Sequence, residues 1–185
     1  TGRICIFTNT GQLHTVKVMD LPFGKFRDKG VPIDNVSNFN SEKESMVLVT
    51  SQTSLNLYRV LFATSQSMLK IVDGGEFDVA KRTVAATKLQ QEDQVVSVEI
   101  LTEQKQIVMQ TAEGYFLKFS IDEIPEKKKS AVGVRGMKLG PKDRVENVYY
   151  IQSGSETVAQ YGEKQIELSR LKAGKRDTKG TKVRV

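Results

Sequence analysis

The chain predicts an all-β fold assembled from propeller-like blades. Three observations carry the prediction. Short segments alternate apolar and polar residues, turn-forming residues separate them, and the whole pattern recurs along the chain.

The alternating segments are "RICIFT" (3–8), "QLHTVKV" (12–18), "SMVLVT" (45–50), "LNLYRVLFAT" (55–64), "QVVSVEIL" (94–101), "QIVMQT" (106–111), "YFLKFS" (115–120) and "ENVYYIQ" (146–152). They are rich in Val, Ile, Phe and Tyr, whose side chains fit a pleated surface. Asn9-Thr10-Gly11, Asp73-Gly74-Gly75, Ala112-Glu113-Gly114, Leu139 to Asp143 and Gly154-Ser155 supply the turns. No segment carries sustained helical periodicity with caps, and a short helical turn is expected only within 76–92.

The repeat decides the architecture. Four stretches each read as strand, tight turn, strand, connection, basic cluster and a further strand. That further strand starts at Gly30, Thr83, Gly133 and Gly180, at intervals of 53, 50 and 47 residues. One such unit buries too little apolar surface by itself, so neighbours must share a core. The expected organisation is a single domain over 1–185, with repeats at approximately 3–50, 54–101, 104–151 and 155–185. About four four-stranded blades form it, as an open or incomplete ring. Residues 172–185 are either a last strand or a basic tail.

Composition narrows the function. The net charge of +6 sits entirely between 164 and 185, where eight Lys and Arg face two acids. A basic end of this kind suits a polyanionic partner. The chain opens on Thr1, as expected of a piece of a longer protein, and shows neither a signal peptide nor a membrane-length apolar run. Its one cysteine, Cys5, excludes an internal disulfide and a cysteine zinc site, and is expected in a strand core. The single histidine, His14, excludes most triad chemistry and is expected on a strand surface. Tyr149-Tyr150 should place one ring in the core and one outside. Gly74-Gly75-Glu76-Phe77 is one carboxylate short of a diguanylate cyclase signature. It reads as the turn after a strand, leading toward Lys81 and Arg82. No catalytic residue and no metal ligand set is predicted.

Basic residues recur before each further strand: Lys25, Arg27 and Lys29; Lys81 and Arg82; Lys127, Lys128 and Lys129; Lys175, Arg176 and Lys179. Equivalent positions in stacked blades fall at equivalent places on the edge, so the clusters form a broken cationic track. Such a track contacts regularly spaced phosphates with little base preference. Lys17, Lys70, Lys118 and Arg135 lie in or beside strands and either join the track or face solvent. The glycines at the further-strand starts allow positive φ or close backbone approach, and Thr83 stands where the others have glycine.

These residues resemble a known family. "GVRGMKL" (133–139) after "QTAEGYFLKF" (110–119), with "FTNTGQLHTVKVMDLP" (7–22) and "FATSQSMLKIVDGGEFDVAKRTVAATKL" (62–89), resembles the C-terminal domain of the type IIA topoisomerase A subunit. That family includes DNA gyrase and topoisomerase IV. The resemblance covers essentially the whole chain and implies a β-pinwheel, a disc whose blades exchange strands. It further implies a non-catalytic domain that binds and bends double-stranded DNA at its rim. Arg135 and Lys138 then join the candidate contacts. The implied partners are an ATPase B subunit together with the remainder of the A subunit, in the bacterial cytoplasm and away from membrane. No cofactor is expected in this domain; ATP and Mg2+ are implied for the whole enzyme only. The family's gyrases carry a Gln-Arg-Gly-Gly-Lys-Gly box for wrapping DNA. The nearest sequence here runs from Lys175 to Gly180 with Asp177 and Thr178 in the middle, which favours topoisomerase IV.

Overall fold

The computed structural model describes residues 2–24 and 29–184. The first repeat holds β1 (Arg3–Thr8), β2 (Gln12–Lys17), a short helix α1 (Ile33–Val36) and β3 (Met46–Ser51). The second holds α2 (Gln52–Leu57), β4 (Arg59–Thr64), β5 (Met68–Asp73), β6 (Thr83–Ala85) and β7 (Val95–Leu101). The third holds β8 (Gln106–Thr111), β9 (Tyr115–Ser120), β10 (Val134–Arg135) and β11 (Val145–Ile151). The fourth holds β12 (Val158–Tyr161), β13 (Lys164–Glu167) and β14 (Thr181–Lys182).

The sheets do not follow the repeats. Their strand orders are β3-β1-β2-β6, β10-β5-β4-β7, β11-β8-β9-β14 and β12-β13. The second, third and fourth repeats therefore each donate a short strand to the sheet of the repeat before, and all the named pairs are antiparallel. Three sheets have four strands. The fourth unit is a two-stranded hairpin, because its short strand β14 completes the third sheet. Along the opposite edge β3 packs against β7, and β7 against β11.

The same turn is built three times. The hydroxyls of Thr8, Thr64 and Thr111 accept from the N–H groups of Gln12, Met68 and Tyr115 at 3.3, 3.0 and 3.1 Å. Gly11, Ser67 and Gly114 hold the intervening left-handed position at φ 79°, 69° and 91°. A residue there needs a positive φ, so two of the three are glycine.

Period two means something different here from a half-exposed sheet. Leu61, Ala63, Leu69 and Ile71 pack with Ile107, Met109, Leu117 and Phe119 in one core between the second and third sheets. Val60, Phe62, Val72 and Phe77 pack with Cys5, Phe7 and Leu13 in another core between the first and second. Successive residues of β4 thus enter alternate cores, and Val60 through Thr64 are all buried. Sheets covered on both faces explain strands whose apolar runs are nearly continuous. On the outer face of the first sheet, Ile6 and Val16 are covered by Phe39, with Leu21 and Ile33 partly buried against them.

Several local expectations change. Residues 55–64 are not one strand: α2 occupies 52–57, and β4 begins at Arg59. Ser51 caps α2, its hydroxyl accepting from the Ser54 N–H at 3.1 Å, while Leu55 is buried. The apolar alternation of "LNL" served a single helical turn equally well. The further strand expected from Gly30 is absent, and residues 33–36 form α1 instead. Tyr149 and Tyr150 are both partly buried, one against Val108 and Phe116 and the other in the core between the second and third sheets. Neither ring lies outside, because each sheet face meets another layer.

Candidate nucleic-acid interface

Strand exchange carries the second, third and fourth basic clusters onto the neighbouring sheet. Residues 81–82 lie over β2, where the Thr15 N–H donates to the Arg82 carbonyl at 2.8 Å and the Thr15 hydroxyl to the Lys81 carbonyl at 3.2 Å. Residues 125–131 lie over β5: the Ile71 N–H donates to the Pro125 carbonyl at 3.1 Å, and the Lys127 N–H to the Ile71 carbonyl at 2.7 Å. Residues 174–182 lie over β9, starting with the Gly174 N–H on the Lys118 carbonyl at 2.7 Å. Three successive sheets thus carry one basic segment each, all on the edge opposite the β3–β7–β11 contact.

Glycine makes the docking possible. A Cβ on Gly133 would sit 2.3 Å from the Leu69 carbonyl oxygen, and one on Gly180 would sit 2.4 Å from that of Phe116. Both glycines also hold positive φ, 105° and 80°. Leu69 and Phe116 occupy the same register in β5 and β9, facing Val134 and Thr181. At the matching place Thr83 pairs with His14, and its hydroxyl meets the His14 Nδ1 at 2.9 Å.

The predicted contacts differ in how free their charges are. Lys29, Lys81, Arg82, Lys127, Lys128, Lys138, Lys175 and Lys179 are exposed, while Lys129 and Arg176 are half-buried. Lys25 and Arg27 lie outside the described residues. The Arg82 guanidinium donates to the Val36 carbonyl at 3.2 Å. Arg176 is braced: its N–H donates to the Glu123 carboxylate at 3.0 Å, its Nε to the Glu123 carbonyl at 3.0 Å and its Nη1 to the Arg135 carbonyl at 2.9 Å. Arg135 is exposed but donates to the Asp177 carboxylate. That hydrogen bond holds the Asp177 carboxyl below its usual range and raises the Arg135 guanidinium. Lys179 and Lys182 hold their Nζ 4.9 and 5.7 Å from the centre of the Tyr115 ring.

Lys70 and Lys118 neither join the track nor face solvent. Both are buried. The Lys70 Nζ donates to the carbonyls of Lys128, Lys129 and Ala131 at 3.0, 2.9 and 2.8 Å. The Lys118 Nζ donates to those of Leu168 and Ser169 at 2.9 and 3.3 Å. Burial lowers Lys70 to about 8, opposed by Glu76, and lowers Lys118 by the same cause. An apolar lysine stem fits a strand core, and carbonyls of an incoming segment satisfy its head.

His14 is also buried rather than on a surface, with Nε2 2.6 Å from the Glu44 carboxylate. Burial pushes Glu44 up, but hydrogen bonds from Thr10, the Asn40 N–H and His14 outweigh it and hold the carboxyl low. The Gly74 to Phe77 stretch is a single 3-10 turn. Phe77 fills the core, and a Cβ on Gly74 would strike the Leu55 carbonyl oxygen at 1.9 Å. Glu76 points not toward Lys81 and Arg82 but to the third repeat's lysines, accepting from the Lys129 N–H at 3.3 Å and lying 3.9 Å from the Lys128 Nζ. Sequence reading also passed over Arg3, which shares a cleft with Lys17 and Arg82 and faces Asp78 at 3.8 Å. Its place at the head of β1 carried no signal, since the partners come from residues 78 to 82.

Among the described residues no cluster of three His, Cys, Asp or Glu forms a metal site, and no helix is long and apolar enough to cross a membrane. The family model described as DNA gyrase C-terminal domain, beta-propeller, matches residues 58–102 and 105–152, half of the chain. The chain belongs to the DNA gyrase C-terminal domain family. Its fold is the β-pinwheel that the resemblance implied. Relatives of this family include the gyrase A protein of Lawsonia intracellularis, 30% identical over 157 residues, covering 84% of this chain and 19% of that protein. The gyrase A protein of Staphylococcus epidermidis is 27% identical over 97% of this chain and 21% of its own. The chain therefore spans about a fifth of the length of these relatives. Among solved structures, the C-terminal domain of DNA topoisomerase IV superposes with a TM-score of 0.89 at 26% identity, over 98% of this chain and 58% of the other. The E. coli ParC C-terminal domain gives 0.80 at 16% identity, over 100% and 77%, which speaks to the fold alone.

Proposed function

We propose that this gyrase-family pinwheel is a non-catalytic module that binds and bends double-stranded DNA for the A subunit of a type IIA topoisomerase. The observation that carries the reading is the exchanged basic segment on each of three successive sheets. Lys81, Arg82, Lys127, Lys128, Lys138, Lys175 and Lys179 then offer exposed charges to successive phosphates, with Lys29 on the first repeat. Bending duplex costs on the order of 1–10 kcal/mol, which several Lys and Arg contacts with counterion release offset. The partners in this reading are an ATPase B subunit together with the DNA-cleaving remainder of the A subunit, with ATP and Mg2+ used by those parts, in the bacterial cytoplasm.

The test is duplex affinity at several salt concentrations. The reading expects affinity to fall steeply as salt rises. A flat salt dependence, or no binding at low salt, overturns it and favours a protein-interaction module whose charged edge is incidental.

We further infer a topoisomerase IV-like role in decatenation and relaxation rather than negative supercoiling. The support is that Asp177, at the centre of the box-like stretch, occupies Arg135 rather than leaving it to phosphate. Names of the sequence relatives favour the gyrase reading instead. A ligase assay on relaxed plasmid separates the two: handed supercoils retained after ligation indicate gyrase-like wrapping, and none supports the topoisomerase IV-like reading.

A further inference from the structure

The exposed lysines of the third repeat sit on a loop whose backbone is turned inside out. From 128 to 131 three carbonyls point inward to one buried ammonium, while the Lys127 and Lys128 side chains point outward. Lys70 is 0% exposed and spends all three of its N–H donors on that loop, so it has none left for a ligand. Glu76 secures the same loop from its other side, through the Lys129 N–H. Its main-chain carbonyl also accepts from the Lys129 Nζ at 3.3 Å.

Such a donor recurs. On β2 the buried Thr15 hydroxyl reaches the Lys81 carbonyl, and on β9 the buried Lys118 reaches Leu168 and Ser169. Each receiving strand thus presents one buried side-chain donor to backbone of the repeat that follows. Only Lys70 takes three carbonyls, all in the segment that carries the lysine triplet.

We propose that Lys70 is a positioning residue for polyanion binding, holding the 127–131 loop so that Lys127 and Lys128 face the phosphates. The inference rests on the DNA-binding reading above. A like charge under the loop is tolerated because the carbonyl dipoles face it, and the same dipoles leave the outward face to the two exposed lysines, of which Lys128 lies 3.9 Å from the Glu76 carboxylate. Without the ammonium, three carbonyls lose their donor in a buried place, and the loop has no reason to keep its carbonyls inward.

The experiment is a double-mutant cycle on duplex affinity, using the 185-residue chain and a random-sequence duplex of several helical turns. Lys70→Met is combined with Lys127→Ala plus Lys128→Ala. Lys70→Met alone should weaken binding about threefold to tenfold and make the salt dependence shallower by about one contact's worth. In the Lys127→Ala, Lys128→Ala background the same change should do almost nothing, since the two outward lysines that the loop positions are gone. Additive losses would mean that Lys70 acts on the fold at large, and overturn the proposal.

A second measurement stands if Lys70→Met does not fold. The charged groups around the Lys70 head are Asp73 and Glu76 from the strand end and turn, and Glu126, Lys127, Lys128 and Lys129 from the loop. Burial lowers Lys70 toward neutrality, to about 8. Wild-type affinity should therefore drop as pH rises through about 8, and the loop double variant should show no such step. Thermal stability should not drop with it, because a lysine lowered by folding makes the protein more stable as pH rises. A wild type that binds duplex with no step as pH rises through about 8 overturns this inference alone. A wild type that never binds duplex overturns the DNA reading as well.

Discussion

The loop at 125–131 and the segment at 172–182 are both rich in basic residues but are held in place by different groups. Both are basic, both are donated to the preceding sheet, and both follow the same register on β5 and β9. On β5, the cation that holds the loop is buried beneath it, and Lys127 and Lys128 remain exposed. On β9, part of the cluster does the holding itself: Arg176 is spent on Glu123 and the Arg135 carbonyl, and Arg135 on Asp177. A count of basic residues thus overstates the charge that a segment offers. What matters is whether a separate residue takes over the structural work.

That contrast can be broken or sharpened by substitution. The largest effect is expected from charge reversal on the β5 side. Lys127→Glu with Lys128→Glu should lower duplex affinity by about tenfold or more without a change in melting temperature. Arg176→Glu on the β9 side should instead lower the melting temperature, and equal behaviour of the two variants would erase the distinction.

Next in size is the docking itself. Gly133→Ala and Gly180→Ala each place a Cβ against a backbone carbonyl at positive φ. Each should cost about 2–4 kcal/mol in denaturant unfolding. Gly30→Ala, where a Cβ would meet nothing within 4 Å, is the control and should be near neutral.

A smaller effect follows from the exposed pair. Asp177→Asn should free Arg135 and raise duplex affinity about twofold at low salt, with almost no change in stability, since exposed pairs contribute little. Unchanged affinity would show that Arg135 is not on the DNA path. The depressed Asp177 carboxyl adds only slight stability, present above its unfolded pKa and lost as pH falls through the lower folded value.

A pH-dependent effect concerns the buried ammonium. With Lys70 at about 8 when folded and near 10.4 when unfolded, the unfolded chain binds more protons between those values. Stability should rise with pH across that window in the wild type relative to Lys70→Met. A difference that stays flat there would mean that burial does not lower Lys70 in the folded chain.

Much of the fold was legible beforehand. The starts of β6, β10 and β14 fall at or one residue beyond Thr83, Gly133 and Gly180. Glycine at two of them is legible because a Cβ has no room against the receiving carbonyl. Residues 55–57 misled because three alternating residues suit one helical turn as well as a strand. Lys70, Lys118 and His14 misled for a common reason. Their polar heads are satisfied by backbone or by Glu44 from segments distant in the chain, and no local pattern announces those partners.

The sequence by itself determined most of the strands, the turns, the repeat spacing and the recurrence of basic clusters, because these depend on alternation and on residues next to one another. Tertiary structure alone decided which sheet receives each cluster and which charges stay free. Exchange shifts every short strand onto the previous repeat. The fate of a charge is then set by carbonyls and carboxylates about 50 residues away in the chain, as with Lys70 and Lys128, or Arg176 and Glu123.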